Sequence, residues 1–533
     1  MQQERLPFKQ RIRDEIRSGD WWALGGLVAL FTILNWFFLK PWTLSIDGYR
    51  EPVIFVSTLS DLMRPTFRTA VVGLVGVFLA IQYRSLNLQW TTLQDGPRIR
   101  VVVGVSAFLL AWIYSTYDYN HFLQQSHSLD RALLAMLWIG VVWRPMFVFP
   151  FLLVLWPMIG QFNVPIGGLS WAIPFLPARI VLLFSATLLT GLATKKWQTS
   201  HFVFMLFCLV ASHYVPSGIR KLQIGWLPHD QVYFLLPTTY ANGWLGFLEA
   251  AQIDRLTNFM AWTNWPAKLL TIVAECGAVF MLWRHRTVRL FLIVWICFHV
   301  GIFVTSGIFF WPWIVILVTL LILTWRNPLL SVGQLRPVHF MVSAILIASS
   351  AYWAKPAVLS WIDSPATYTY RITAVGQSGN EYSMSPGYMA PFEYQFTLGG
   401  FSYLDKQPGL RITWGATDLS TSQRLQAALS ADDLLAIEQE LGSLRYNEKR
   451  TQAMQELLVA YAKSLNSDAP KRVLPHWMCA PKRLWGFAKE NAYDGRERIV
   501  SVRIDQVFSA FLNGHYQEIR SREVFDVAVG QNR

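Results

Sequence analysis

Long apolar runs, separated by short polar stretches, dominate the first two thirds of the chain. Many of these runs approach the roughly 20 residues that a helix needs to cross a bilayer. Nine spans are predicted, at residues 21–38, 69–83, 101–117, 177–193, 201–217, 267–283, 290–306, 309–325 and 338–357. We therefore expect an α-helical multi-pass membrane bundle over residues 21–358.

One further apolar stretch, residues 132–160, is interrupted by Arg144 and Pro145 and suits either one tilted span or two short helices. Because Lys and Arg concentrate in cytoplasmic loops, the positions of the basic residues distinguish between these interpretations. If 132–160 makes no net crossing, the basic pair at 195–196 falls on the same side as the basic residues 1–20. We therefore predict a re-entrant hairpin or interfacial helix at 132–160, a cytoplasmic lead at 1–20 and an extracytoplasmic C-terminal portion.

The pattern changes in residues 359–533. Strands are predicted where apolar and polar residues alternate, at 368–372, 498–507 and 523–529. Ser430 precedes an apolar-periodic run and predicts a capped helix, and a second helix fits 448–465. Residues 359–533 are thus predicted to form one extracytoplasmic α+β domain, of a size that is normal for a unit with its own core.

Composition supports a membrane protein, since 53% of residues are hydrophobic and only 15% are charged, against about a quarter in soluble domains. The formal charge of +13 lies entirely before residue 359, because the remainder holds equal numbers of acidic and basic residues. No basic stripe interleaves with aromatic residues, so nucleic acid is not an expected partner. We expect a multi-pass protein surrounded by lipid, in a bacterial inner membrane, with the run 21–38 retained as an anchor because no small-residue cleavage site follows it.

Ionisable residues inside apolar segments are candidates for chemistry, because charge is costly to bury in lipid. Glu275 and His299 lie in consecutive spans, and Glu275 is expected to be protonated or paired with a histidine one helix away. A lone histidine such as His299 is more commonly an interhelical donor than a catalyst. No set of His, Cys, Asp and Glu has metal-ligand spacing, so no metal is expected.

Arg220 and Lys221 lie where a helix leaves the membrane, between His213 and Trp226. The simplest interpretation is a pair of side chains that snorkel to the interface. Alternatively, a partly desolvated Lys221 beside a cation gives up its proton readily and acts as a general base. Arg220 stays charged and would be the electrostatic neighbour in that case.

The order of several motifs resembles that of the vitamin K-dependent gamma-carboxylases, within the wider HTTM membrane-domain family. The motifs are Asn120 with His121, SGIRKL at 217–222 with Trp226, Glu275, and Phe298 with His299 followed by GIFFWP at 307–312. The likeness covers residues 20–325 loosely and is specific mainly in 213–226 and 290–312. It identifies residues 21–358 as an HTTM-like transmembrane domain.

The resemblance implies a quinol-dependent carboxylase and epoxidase, a lyase-type enzyme that uses a reduced quinone like vitamin K hydroquinone. Lys221 matches the base that deprotonates the quinol, whose reaction with oxygen yields a stronger base. That stronger base removes a proton from a glutamate of a secreted peptide or protein, and carbon dioxide then adds. His121 and His299 match histidines that orient or protonate intermediates. The candidate catalytic residues are Lys221, His121 and His299, and the supporting residues are Asn120, Arg220, Glu275, His213 and Trp226.

Two other functions stay open at this point. The HTTM family includes bacterial proteins of peptide-toxin maturation, so the helices could form a non-catalytic scaffold for maturation or export of a secreted peptide bound by residues 359–533. A transporter is less favoured, because the spans lack the interrupted half-helices and the series of carboxylates expected for ion coupling. Residues 122–200 and 359–533 show little likeness to the carboxylases, which leaves substrate recognition unassigned.

Overall fold

The computed structural model describes residues 21–83, 87–117, 125–163, 175–325, 337–384, 400–416, 418–467, 474–487 and 491–530. Helices make up most of this part, and a small sheet lies near the C-terminus. The predicted cytoplasmic lead at 1–20 lies outside the described residues.

The helices before the sheet follow the predicted spans closely. In chain order they are α1 (Trp21–Phe38), α2 (Ile46–Arg50), α3 (Ile54–Leu62), α4 (Phe67–Ile81), α5 (Gly96–Thr116), α6 (Ser128–Trp143), α7 (Val148–Gly160), α8 (Phe175–Thr194), α9 (Thr199–Ser212), α10 (Val215–Gln223), α11 (Trp226–His229), α12 (Leu235–Ala241), α13 (Ala250–Trp262), α14 (Asn264–Cys276), α15 (His285–Ser306), α16 (Trp311–Trp325), α17 (Pro337–Ala348) and α18 (Ser350–Trp353). A 3-10 helix, Gly277–Trp283, continues α14.

Seven helical stretches in the described part are long and apolar enough to cross a membrane. They are Trp21–Phe38, Gly96–Thr116, Pro145–Asn163, Leu176–Thr194, Thr199–Gln223, Asn264–Trp283 and His285–Ser306. Helices α3 and α4 together would make an eighth, with a bend of 93° between them, and α16 and α17 are apolar but shorter. This architecture agrees with a multi-pass helical membrane protein, while the count of nine spans and the orientation stay predictions.

Residues 132–160 form parts of two helices rather than one tilted span. Arg144 is extended between α6 and α7, with φ −139° and ψ 137°, as expected for a residue that precedes proline. Its guanidinium lies 4.6 Å from the ring centre of Trp143. Helix α6 packs against both α5 and α7, and the number of crossings made here stays a prediction.

The C-terminal sheet has four antiparallel strands in the order β2-β1-β3-β4. The elements of this part are β1 (Ala366–Gly376), β2 (Glu381–Ser383), α19 (Leu419–Ala427), α20 (Ala431–Leu441), α21 (Glu448–Leu465), β3 (Ile499–Leu512) and β4 (His515–Ala528). Ser430 caps α20 as predicted, since its side chain accepts a hydrogen bond from the amide of Asp433. Strands β3 and β4 are longer than predicted and are joined at Asn513 and Gly514, both with positive φ, which is the geometry of a two-residue hairpin turn.

The sheet packs directly on the helical bundle. One face carries Tyr368 and Phe508 and is covered by α19 and α20, while α21 packs further along the sheet. Strands β3 and β4 also contact the helical bundle. At this contact the rings of Phe234 and Phe511 lie 6.4 Å apart. The buried apolar residues of the bundle and of α21 belong to one contiguous cluster. The predicted domain boundary at residue 358 is therefore crossed by a shared core.

Two segments connect the sheet to the ends of the membrane helices. Residues 357–363 follow α18, and the amide of Leu359 donates to Ser217 Oγ on α10 at 3.1 Å. Residues 474–487, which we call the return segment, lie against the ends of α5 and α15. There the amide of Phe309 donates to the carbonyl of Arg483 at 2.7 Å, and the amide of Trp485 donates to that of Gly307 at 3.0 Å.

Candidate functional site

A cavity of about 260 Å³ lies where α10, α14, α15 and α16 meet residues 357–363 and the return segment. Most of its wall is apolar, with aromatic rings from Trp226, Phe298, Phe309, Phe310, Trp313 and Trp361. Polar side chains interrupt this wall at fewer than half of the lining positions. An apolar cleft with few convergent polar groups is the usual form of a small-molecule site.

The central polar contact is between Lys221 on α10 and Glu275 on α14. Lys221 Nζ lies 2.5 Å from Glu275 Oε1, and the two side chains are 13% and 5% exposed. Gly218 allows this approach, because a Cβ there would lie 2.7 Å from the sulfur of Cys276 and 2.9 Å from Glu275 Cβ. The ammonium also lies 5.6 Å from the ring centre of Trp226. A partly buried lysine thus has a carboxylate as its immediate neighbour.

Two details of the predicted site are corrected by this contact. Glu275 pairs with Lys221, so the expectation of a histidine partner is wrong. Arg220 does not stand beside the amine; it is exposed and reaches Gln223 Oε1 at 3.4 Å. Consecutive residues of a helix point in different directions, so an arginine next to Lys221 in sequence is not its neighbour in space.

The ion pair places a proton acceptor beside Lys221. A proton that moved across the 2.5 Å from Nζ to Glu275 would convert the ammonium and carboxylate into an uncharged amine and carboxylic acid. Charged groups lose most when they leave water, so apolar surroundings favour such an uncharged pair more than bulk water does. Glu275 Oε2 is buried and has no hydrogen-bond partner among the described residues.

His299 enters the same cavity from α15. Its Nε2 lies 3.0 Å from the hydroxyl of Tyr214, and the tyrosine ring stacks on Trp295 with centroids 4.0 Å apart. His299 Nδ1 is buried and has no partner in the described part of the chain. Tyr214 therefore fixes one edge of the imidazole, and the nitrogen on the other edge is unpaired among the described residues. Sequence reasoning missed this tyrosine, which no local pattern distinguishes from a core residue.

His213 also lines the cavity, but both of its nitrogens are engaged. Nδ1 lies 2.7 Å from the carbonyl of Leu209, and Nε2 lies 2.6 Å from Nη1 of Arg179. Because arginine only donates, Nε2 accepts and Nδ1 carries the hydrogen, so the ring is neutral. Arg179 also donates to the carbonyl of Lys355 at 2.6 Å. His213 is thus a fixed part of the cavity wall and does not carry protons.

Asp363 is a second site residue that the sequence did not single out. It lines the cavity from the segment after α18, and Trp361 Nε1 donates to its Oδ1 at 2.9 Å. Burial raises the pKa of Asp363 to about 7, although the Trp361 hydrogen bond and the charge of Lys221 oppose this. Its carboxyl can therefore exchange a proton near neutral pH.

Five of the eight predicted site residues meet at this cavity: Lys221, His299, Glu275, His213 and Trp226. Arg220 does not line it. Asn120 and His121 lie outside the described residues, so their place near the cavity stays a prediction. Within the described ranges, no group of three or more His, Cys, Asp and Glu side chains is arranged to hold a metal ion.

No protein-family model, no curated protein and no solved structure matches this chain. The resemblance to the gamma-carboxylases therefore rests on the motifs themselves.

Proposed function

We propose that the chain is a membrane-embedded enzyme in which Lys221 acts as general base on a quinol-class ligand. The product would serve to modify a secreted peptide or protein, by carboxylation of a glutamate. One observation carries the proposal: Lys221, Glu275 and His299 come from three different helices and converge on a single, mostly apolar cavity.

The cavity suits a ligand that has an apolar body and a polar head. Aromatic rings line the wall, and two buried polar atoms, Glu275 Oε2 and His299 Nδ1, have no partner among the described residues. Such atoms cost about 1–3 kcal/mol each when unsatisfied, so a ligand that bonds to them gains affinity. The cavity volume of about 260 Å³ is just below the usual range of about 300–1,000 Å³ for small-molecule sites. A cavity of this size suits the ring head of a ligand whose tail extends into lipid.

A reduced quinone supplies, when bound, a phenolic proton and the reducing power for a reaction with dioxygen. The protein groups perform the proton chemistry. Lys221 Nζ, as the amine of the uncharged pair, takes up the proton, and Glu275 retains the proton that it received from Lys221. His299 Nδ1 hydrogen-bonds a second polar atom of the ligand and orients it. The new ammonium then stabilises the negative charge that it has created.

The C-terminal portion is proposed to be extracytoplasmic and to present the secreted substrate. Support comes from the distribution of Lys and Arg between loops and from the wall of the cavity. Leu359, Trp361 and Asp363 line that wall, so residues after the last span already border the reacting groups. A substrate bound there is close to Lys221 without crossing the membrane.

The proposal is tested with purified protein in lipid nanodiscs and vitamin K hydroquinone as the probe. Wild type should consume the quinol and form its epoxide, while Lys221→Ala should lose this activity and retain its fold, as judged by circular dichroism. Arg220→Ala is the matched control, because it removes the neighbouring exposed cation, and its activity should be unchanged.

Unchanged turnover in Lys221→Ala would exclude the lysine as base. No turnover in wild type would overturn the enzymatic proposal. Full biological activity of a Lys221→Met, His299→Leu double variant would instead favour the alternative, a non-catalytic HTTM scaffold for maturation or export of a secreted peptide.

A further inference from the structure

Two buried aspartates lie together at one side of the cavity. Asp230 follows α11, and Asp363 follows the last membrane helix, so they come from distant parts of the chain. The amide of Asp363 donates to Asp230 Oδ1 at 2.6 Å. Asp230 is 0% exposed and Asp363 is 5% exposed. Asp363 lines the cavity, whereas Asp230 lies behind it.

Neither carboxyl has an ammonium or guanidinium in direct contact among the described residues. Lys268 is near, but its Nζ donates to the backbone carbonyl of Asp230 at 3.0 Å and not to the side chain. Asp363 Oδ1 accepts from the neutral indole of Trp361. Asp230 Oδ2 is buried and has no partner in the described part of the chain. Buried carboxylates of this kind are ordinarily paired or protonated.

The burial of both carboxyls indicates that a proton is held here. The positive charges of Lys268 and Lys221 act on Asp230, but Lys221 is already paired with Glu275. Neither ammonium is therefore a dedicated partner of the two aspartates. Burial raises the pKa of Asp230 well above its usual range, and the charge of Asp363 raises it further. Two adjacent carboxyls under these conditions titrate as a pair.

Two other ionisable groups line the cavity. His299 lines it from α15, and one of its nitrogens is held by Tyr214. Arg483 lines it from the return segment and is half-buried.

We propose that Asp230 and Asp363 share one proton at neutral pH, and that Asp363 exchanges this proton with the cavity that contains the Lys221 and Glu275 pair. The two aspartates then form a proton store next to Lys221, the proposed base. If the proposed function holds, Lys221 Nζ passes the proton taken from the ligand to the ionised oxygen of the store. The proton moves from nitrogen to oxygen, the total charge is unchanged, and the amine is restored for another turnover.

Infrared difference spectroscopy of the whole protein in nanodiscs tests the store without any substrate. A protonated carboxyl has a C=O stretch that shifts in heavy water, and wild type should show one such band that disappears as pH rises through about 7. Asp363→Asn and Asp230→Asn should each remove or displace this transition. Asp254→Asn is the matched control: its carboxyl binds the amide of Tyr516 at 2.7 Å, away from the cavity lining, and the band should be retained.

A band that persists in both aspartate variants and is lost in Glu275→Gln would place the proton on Glu275 and overturn the proposal. The absence of any titrating band in wild type between about pH 5 and 8 would overturn it as well. The two aspartate variants serve as checks on each other if one fails to fold. Because the measurement needs no turnover, a negative quinol assay and a negative infrared result are independent outcomes.

Discussion

Removal of Lys221 from its ion pair is the most direct test of the site geometry. In Lys221→Met, Glu275 keeps its buried position but loses its only described partner. In Glu275→Met, the ammonium loses its carboxylate but remains 13% exposed, so water reaches it in part. The double variant replaces both charges with apolar side chains of similar length. These three variants form a double-mutant cycle for a single contact.

The magnitudes follow from the distance and the burial. At 2.5 Å and an effective dielectric constant of about 20, the Coulomb attraction is roughly 7 kcal/mol. Desolvation of the two ions costs several kcal/mol each and offsets most of it. Removal of one partner of a buried pair costs about 3–5 kcal/mol, and we expect Lys221→Met near 3 kcal/mol because Glu275 can take up a proton. The double variant should lie within about 1 kcal/mol of wild type.

Thermal unfolding in nanodiscs, followed by tryptophan fluorescence, measures the cycle. A loss of 1 kcal/mol shifts the midpoint by about 2–4 °C in chains of 150–250 residues and by less in longer ones, so Lys221→Met should fall by several degrees and the double variant should recover. Arg220→Met is the control, since an exposed substitution changes stability by about 0.5 kcal/mol or less. Additive losses, with no recovery in the double variant, would refute the ion pair.

Two further predictions concern groups around this pair. The folded-state pKa of Asp363, about 7, exceeds the usual value of 3.8, so the folded protein binds more protons between these values. Its stability therefore falls as pH rises through that window. The difference in thermal midpoint between Asp363→Asn and wild type should shift in favour of the variant from about pH 4 to 7, and a constant difference would contradict this expectation. Gly218→Ala places a Cβ 2.7 Å from the sulfur of Cys276, and this overlap should lower the stability of the protein by about 1–3 kcal/mol. It should also lower quinol turnover, because it separates Lys221 from Glu275. Unchanged stability and turnover would show that the two helices are not in close contact there.

Strong local signals predicted much of the fold. Helix α1 ends at Phe38, as predicted, because its apolar run ends before Lys40. Strand β4 was predicted only at 523–529, since Glu518 and Arg520 place charges on its first half and conceal the alternation. The dipeptide Asn513-Gly514 is a hairpin signal in the sequence itself and would have extended both strands.

Several members of the candidate site were predictable from the sequence, but their pairings were not. Lys221 and Glu275 stood out because ionisable groups are costly in apolar segments, yet which helices pack together is a tertiary property that the local pattern does not contain. Asp363 was missed because a carboxylate beyond the last span has the sequence context of a solvated residue. Arg179 meets the criterion that selected Glu275, since it falls within the predicted span 177–193, and it could have been found.

One wall of the cavity is built by residues 357–363 and by Arg483 of the return segment, far along the chain from the helix that carries Lys221. A protein shortened after residue 358 would lose this wall and expose the ion pair of Lys221 and Glu275. The C-terminal portion therefore completes the pocket, and its exchange for another sequence would alter the surroundings of Lys221 as well as the surface of the protein.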